Sequence, residues 1–96
     1  MVTILARLKA KPGKEKLLAE ECVKIAQEVR EKEKGCKMYV PHVSANNPGE
    51  FVFFEQYENQ EAFDIHAGSP HFKALAKKFG DLLDGPPVIE KLNEIV

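Results

Sequence analysis

Hydrophobic and polar positions alternate at the start of the chain. Val2, Ile4, Ala6 and Leu8 fall on one side of a period of two, and Thr3, Leu5, Arg7 and Lys9 on the other. That pattern predicts a strand over residues 2–9, broken by Pro12-Gly13. From Lys14 to about Glu33 the period changes to that of a helix, with Leu18, Cys22, Ile25, Ala26 and Val29 on one stripe and Lys and Glu opposite. This is an amphipathic helix that buries one face. Gly35 ends it, as a residue free to turn left-handed would.

Residues 36–44 read as a second strand built on Met38, Tyr39, Val40 and Val43. Pro41 inside it lacks a ladder donor, which predicts an edge or a bulge. Asn46-Asn47-Pro48-Gly49 is turn chemistry, and the strand from Phe51 to Tyr57 closes a hairpin. Phe51-Val52-Phe53-Phe54 is apolar on both sides, so both faces of the sheet should be covered. The chain's own helices can cover one face, and a second copy is the simplest cover for the other. Asn59 caps a short helix over 60–67, with Glu61 in its first turn. After Gly68, Ser69-Pro70 opens a further helix whose stripe is Phe72, Leu75, Ala76, Phe79 and Leu83. Gly85-Pro86-Pro87 stops it, and residues 88–95 form a last strand. The order strand, helix, strand, strand, helix in two pieces, strand predicts an α+β, ferredoxin-like βαββαβ fold with an antiparallel sheet. No linker or repeat divides it, so residues 1–96 form a single domain.

Composition narrows the function classes. A chain of 96 residues hides only roughly 60–65% of its unfolded surface, a modest core that self-association would enlarge. Net charge is −1, without a basic stripe, which argues against a nucleic-acid partner. No apolar run approaches the ~20 residues of a membrane span. The N-terminus lacks the charged start and cleavage site of a signal peptide, so a cytoplasmic location is expected. Cys22 and Cys36 belong to no C-x-x-C pair and are expected to remain packed thiols. Nucleotide-binding glycine motifs, H-E-x-x-H and the G-x-S-x-G elbow are all absent. Any chemistry must rest on a few polar side chains in an apolar pocket.

His66 is the leading candidate. It shares the apolar face of its helix with Ala62 and Phe63, and reads either as a core histidine or as a general base facing a cavity. With an ordinary pKa of ~6.5, imidazole can take a phenolic proton near neutral pH. Glu55 follows four apolar strand residues and must be paired if it points inward. It would either orient His66 or pair with Arg7 or a lysine across the sheet. His71 falls in the first turn after Ser69, an exposed position in most helices. Tyr39, Tyr57 and Phe53 are expected to line an aromatic pocket or to fill core, and His42 to face solvent. The histidines and a glutamate could in principle hold Fe(II), but nothing in their spacing favours it, and no metal is expected.

The stretch Glu55-Gln56-Tyr57-Glu58-Asn59-Gln60-Glu61-Ala62-Phe63, followed by His66-Ala67-Gly68-Ser69-Pro70-His71-Phe72, resembles the centre of the antibiotic biosynthesis monooxygenase family. Ala6-Arg7-Leu8-Lys9-Ala10-Lys11-Pro12-Gly13-Lys14-Glu15 and Gly35 fit as well, so the resemblance covers nearly the whole chain. It implies a ferredoxin-like protomer that dimerises through its sheet into an α+β barrel. It also implies oxidation of quinols or anthrone-like polyphenols without metal or flavin, although other members isomerise small sugars or degrade haem. Two departures matter. Tyr57 stands where the family often has tryptophan, and Arg7 where haem-degrading members have asparagine. The resulting expectation is a cofactor-independent monooxygenase of a small quinol-like substrate, with His66 and Glu55 catalytic and Tyr57, His71, Phe53, Tyr39 and Arg7 around the substrate. The alternatives are a non-catalytic small-molecule-binding or stress-associated dimer, and an isomerase of a small hydroxylated carbonyl compound.

Overall fold

The computed structural model describes residues 1–96. Strand β1 (Val2–Lys9) leads into helix α1 (Glu15–Lys32), and β2 (Cys36–Val43) and β3 (Glu50–Tyr57) follow as a hairpin. Helices α2 (Gln60–Ala67), α3 (Pro70–Ala76) and α4 (Phe79–Leu82) then return the chain to β4 (Val88–Leu92). The sheet order is β2-β3-β1-β4 with every neighbouring pair antiparallel. This is the expected α+β ferredoxin-like topology. No helix is long and apolar enough to cross a membrane.

The register shows what the period of two achieves. Ile4, Ala6 and Leu8 lie opposite Glu55, Phe53 and Phe51, and Tyr39 lies opposite Glu55 on the other side. These residues therefore share one face of the sheet. Helix α1 buries Leu18, Cys22, Ile25, Ala26 and Val29, and they join the strand residues in one core of 17 side chains. The opposite face carries Leu5, Val40, Val52 and Phe54, all half-buried, with Val88 exposed. Pro41 sits where its chemistry permits, because β2 is an edge strand.

Three local details depart from the sequence expectation. Gly35 is not in the left-handed region; only Gly13 and Gly85 have positive φ. Helix α1 ends instead at Glu33 in an extended conformation. A Cβ on Gly35 would lie 2.7 Å from the Cβ of Ala62, so glycine is needed there to let α2 approach the end of α1. The helix expected from Pro70 to Leu83 is broken at Lys77-Lys78, and Leu83 follows α4. Gly80 weakens that stretch by about 1 kcal/mol relative to alanine, and Lys78 Nζ reaches across to Glu21 Oε2 of α1 at 3.1 Å. The last strand stops at Leu92, short of residue 95.

Candidate active site

Between the inner face of the sheet and helices α2 to α4 lies a cavity of ≈ 120 Å³. Eleven of its 14 lining residues are hydrophobic, and none is lysine or arginine. Its only ionisable groups are Glu55 on the sheet, His66 on α2 and the phenol of Tyr39.

Helix caps place His66. The Asn59 side chain accepts from the Ala62 N–H at 2.9 Å and starts α2. Ser69 Oγ donates to the His66 carbonyl at 2.7 Å and accepts from the Phe72 N–H at 3.2 Å. One hydroxyl thus ties the end of α2 to the start of α3. The His66 ring is buried, with centroids 5.1 Å from Tyr39, 5.1 Å from Phe72 and 5.5 Å from Tyr57.

Its partner is Glu33. Nδ1 of His66 lies 2.9 Å from Glu33 Oε2, and the same oxygen takes Nε2 of His71 at 2.5 Å. A carboxylate can only accept, so both ring nitrogens facing it donate. That leaves Nε2 of His66 as a free acceptor, with no protein partner, on a ring that lines the cavity. Burial lowers the His66 pKa below its usual value; the Glu33 carboxylate opposes the shift and His71 adds to it. At neutral pH His66 is therefore a neutral base. Glu33 Oε1 is buried with no partner at all.

Glu55 answers to a different group. Its Oε1 accepts from the Tyr57 hydroxyl at 2.6 Å. Burial pushes its pKa up to about 7, against the Tyr57 hydrogen bond and with help from the Glu33 charge. Tyr39 and Tyr57 are themselves raised, mainly by burial and then by the Glu55 charge, and stay protonated.

Several expectations change. Glu55 does not hydrogen-bond His66, nor does it pair with Arg7. Arg7 lies on the other face of the sheet, half-exposed, with NH1 3.2 Å from Glu90 Oε1, because its position in β1 is odd where the cavity residues are even. His71 is not an exposed histidine: only 6% of its side chain is accessible, because Glu33 draws it inward. It borders the surface outside the cavity. Phe53 and Tyr39 do line the cavity, whereas Tyr57 packs beneath His66 and holds Glu55. His42 is exposed, as expected.

Glu33 was the residue sequence reasoning missed. A signal existed: Leu18, Cys22, Ile25, Val29 and Glu33 keep steps of three and four, so the carboxylate continues the buried stripe of α1. Glu33, His66 and His71 are also the one group of metal-type ligands, their donor atoms all within 4.8 Å. The contacts of 2.5 and 2.9 Å to Glu33 Oε2 hold the two imidazoles on one carboxylate oxygen.

Residues 1–78 match the family described as antibiotic biosynthesis monooxygenase. The chain belongs to that family. Among this family member's relatives, the probable quinol monooxygenase YgiN of Escherichia coli K12 is 30% identical over 95 residues, covering 88% of this chain and 90% of that protein. An uncharacterized Synechocystis protein, sll1783, is 30% identical over 92 residues, or 93% of this chain. The chain spans only 60% of the length of that second relative. In structure it resembles Rv0793 from Mycobacterium tuberculosis, with a TM-score of 0.91, 32% identity, and coverage of 99% of this chain and 95% of that one. PA3566 from Pseudomonas aeruginosa superposes with a TM-score of 0.92 at 25% identity, over 99% of this chain and 94% of that one.

Proposed function

We propose that this antibiotic biosynthesis monooxygenase family member oxygenates a small, single-ring quinol-like substrate, with His66 as the general base. The observation that carries the reading is the state of His66: Nδ1 pinned by Glu33, Nε2 free, and the ring on the wall of an apolar cavity. Apolar cavities of ~150 Å³ hold a benzene ring, so ≈ 120 Å³ suits one aromatic ring better than a polycyclic phenol.

The chemistry follows from the residues. His66 takes the phenolic proton, and the phenolate becomes electron-rich. It reduces dioxygen, a carbon–oxygen bond forms at a ring carbon bearing hydrogen, and the hydroperoxide loses water to leave a new carbonyl. Substrate and dioxygen give oxygenated product and one water; the substrate supplies all four electrons that dioxygen takes up. The protein contributes the base, the orientation and the exclusion of water. Glu55, which holds its proton up to about pH 7, donates to a second substrate oxygen. Tyr57 acts through Glu55, and His71 through Glu33. Isomerisation of a phosphorylated sugar is disfavoured, because no cationic side chain lines the cavity.

The apolar outer face of the sheet, with Val52 and Phe54 from β3 beside Leu5, supports assembly with a second copy across that face. Light scattering should give a dimer mass; a monomer at micromolar concentration overturns the barrel.

The test of function is dioxygen uptake with hydroquinones, catechols and anthrones. Saturable uptake is expected for single-ring substrates, falling at least ~100-fold in His66→Ala, the size of a general-base contribution. Uptake indifferent to His66 overturns the assignment. Binding without turnover, by any substrate in the panel, moves the reading to a small-molecule-binding protein.

A further inference from the structure

We infer that Glu33, His66 and His71 form a binding site for a borderline divalent cation of the Zn²⁺ type, and that an ion held there blocks His66 as the cavity base. The effect on the chemistry rests on the reading of His66 as that base; the site itself does not.

Spacing along the chain does not announce a metal site, because the three ligands come from three helices. Glu33 caps the end of α1, His66 lies in the last turn of α2, and His71 follows Pro70 in the first turn of α3. Folding brings their donor atoms within 4.8 Å of one another, with Nδ1 of His66 and Nε2 of His71 both facing Oε2 of Glu33. The side chains of Glu33 and His66 are 4% accessible and that of His71 is 6% accessible. This is a built cluster, not a chance meeting of surface residues.

Two further features point to a cation. No lysine or arginine pairs with the Glu33 carboxylate; its ionic contacts are the two imidazoles, and neighbouring Lys32 pairs with Glu28 at 3.5 Å. A buried carboxylate without fixed positive charge beside it is costly, and a divalent ion supplies that charge. In addition, Glu33 Oε1 is buried with no hydrogen-bond partner. A carboxylate can ligate through one oxygen or both, so an ion gives this orphaned acceptor a role.

The donor set selects the ion. Two imidazoles and one carboxylate suit Zn²⁺ and its transition-metal neighbours, whereas Mg²⁺ and Ca²⁺ favour oxygen ligands. Three protein ligands leave a further position for water. Glu33 and His71 line a surface depression with Lys32, Asp64 and Ser69, which gives an ion its way in. His66 lines the apolar cavity, so the trio forms part of the wall between the two.

Ligation changes what His66 offers the cavity. A neutral imidazole carries one proton. Facing Glu33, Nδ1 of His66 carries it and Nε2 accepts. Facing an ion, Nδ1 gives its lone pair to the metal and the proton resides on Nε2. The ring gains and loses no proton; it changes tautomer, and the cavity loses its acceptor.

The test adds Zn²⁺ alone to the intact, chelator-treated chain and follows the heat of binding. One ion per chain should bind. Glu33→Gln and His71→Ala should each weaken binding by more than the ~10–100-fold that loss of an outer-shell partner costs. His42→Ala and Cys36→Ser should leave it unchanged; binding lost in either overturns the site, as does Mg²⁺ binding as tightly as Zn²⁺. Co²⁺ reports on the unmutated protein, whatever the variants do to folding. Intense visible bands mark a low-coordinate site, and the weak bands of a six-coordinate ion overturn it. Nitrogen-15 spectra of His66 should show Nε2 bare without Zn²⁺ and protonated with it, and dioxygen uptake should fall in step with occupancy. Nε2 that stays bare in the loaded protein, or uptake that persists at full occupancy, overturns the blocking. Nε2 already protonated without Zn²⁺ overturns the base and its blocking together, leaving the site to the binding data.

Discussion

Two carboxylates lie buried in this protein, and they serve opposite ends. Glu55 sits on the sheet with one neutral donor, the Tyr57 hydroxyl at 2.6 Å. Glu33 sits at the end of α1 between two imidazoles, both on one of its oxygens. One phenol does not offset the loss of water, so Glu55 is pushed up to about 7 and can act as a proton donor. Two ring N–H groups make Glu33 an acceptor and an anchor. Burial alone does not decide what a carboxylate does; the chemistry of its partners does.

The contrast can be broken most forcefully at Glu33. Removing the carboxylate leaves buried ring N–H donors unsatisfied, at about 1–3 kcal/mol each. Glu33→Ala should therefore lower the urea midpoint sharply, and a loss below about 1 kcal/mol would show that the histidines find other acceptors.

Glu55 gives a different signature, a dependence on pH. Its folded pKa of about 7 lies above the ordinary 4.5, so the folded state binds more protons than the unfolded chain between those values. Stability from this group is complete below pH 4.5 and declines as pH rises through 7. The decline should be on the order of 3 kcal/mol, at 1.36 kcal/mol per pH unit. Thermal unfolding of Glu55→Gln across that range should be flatter than wild type, and parallel curves would mean that Glu55 is ionised throughout.

Tyr57→Phe sharpens the comparison at a cost of about 1–2 kcal/mol. It removes the one hydrogen bond that favours the Glu55 anion, so carbon-13 titration should find the Glu55 pKa higher still. A lower value would assign the stabilisation elsewhere. Arg7→Ala should do least. The Arg7–Glu90 pair is half-exposed on the far face, and such pairs contribute at most about 1 kcal/mol. Dioxygen uptake should be unchanged, and a fall in kcat would bring Arg7 back into the site.

The fold was legible because its signals are local. Alternation in β1, the stripe of α1, the Asn-Asn-Pro-Gly turn and the Asn59 and Ser69 caps each depend on neighbours in sequence. Gly35 was legible as a boundary but not for the right reason. Its demand comes from Ala62, 27 residues onward, and no local pattern announces a close approach between helices. The break between α3 and α4 was hidden in the same way, since Phe72, Leu75 and Phe79 keep helical spacing across it.

The site was legible in part. His66 on an apolar helix face and Glu55 in an apolar strand both stand out as polar groups where burial is expected. Their pairing was not legible. Glu33 and His66 are 33 positions apart, and Glu33 and His71 are 38 apart. Each is a distance that only the folding of α2 and α3 against the end of α1 closes. The sequence by itself determined which residues form strands and helices, which face each element buries, and which side chains have the chemistry of a base. Only the tertiary structure decided which carboxylate meets which histidine, because a hydrogen bond needs its partners within about 3 Å, and periodicity places residues on faces without saying which faces meet.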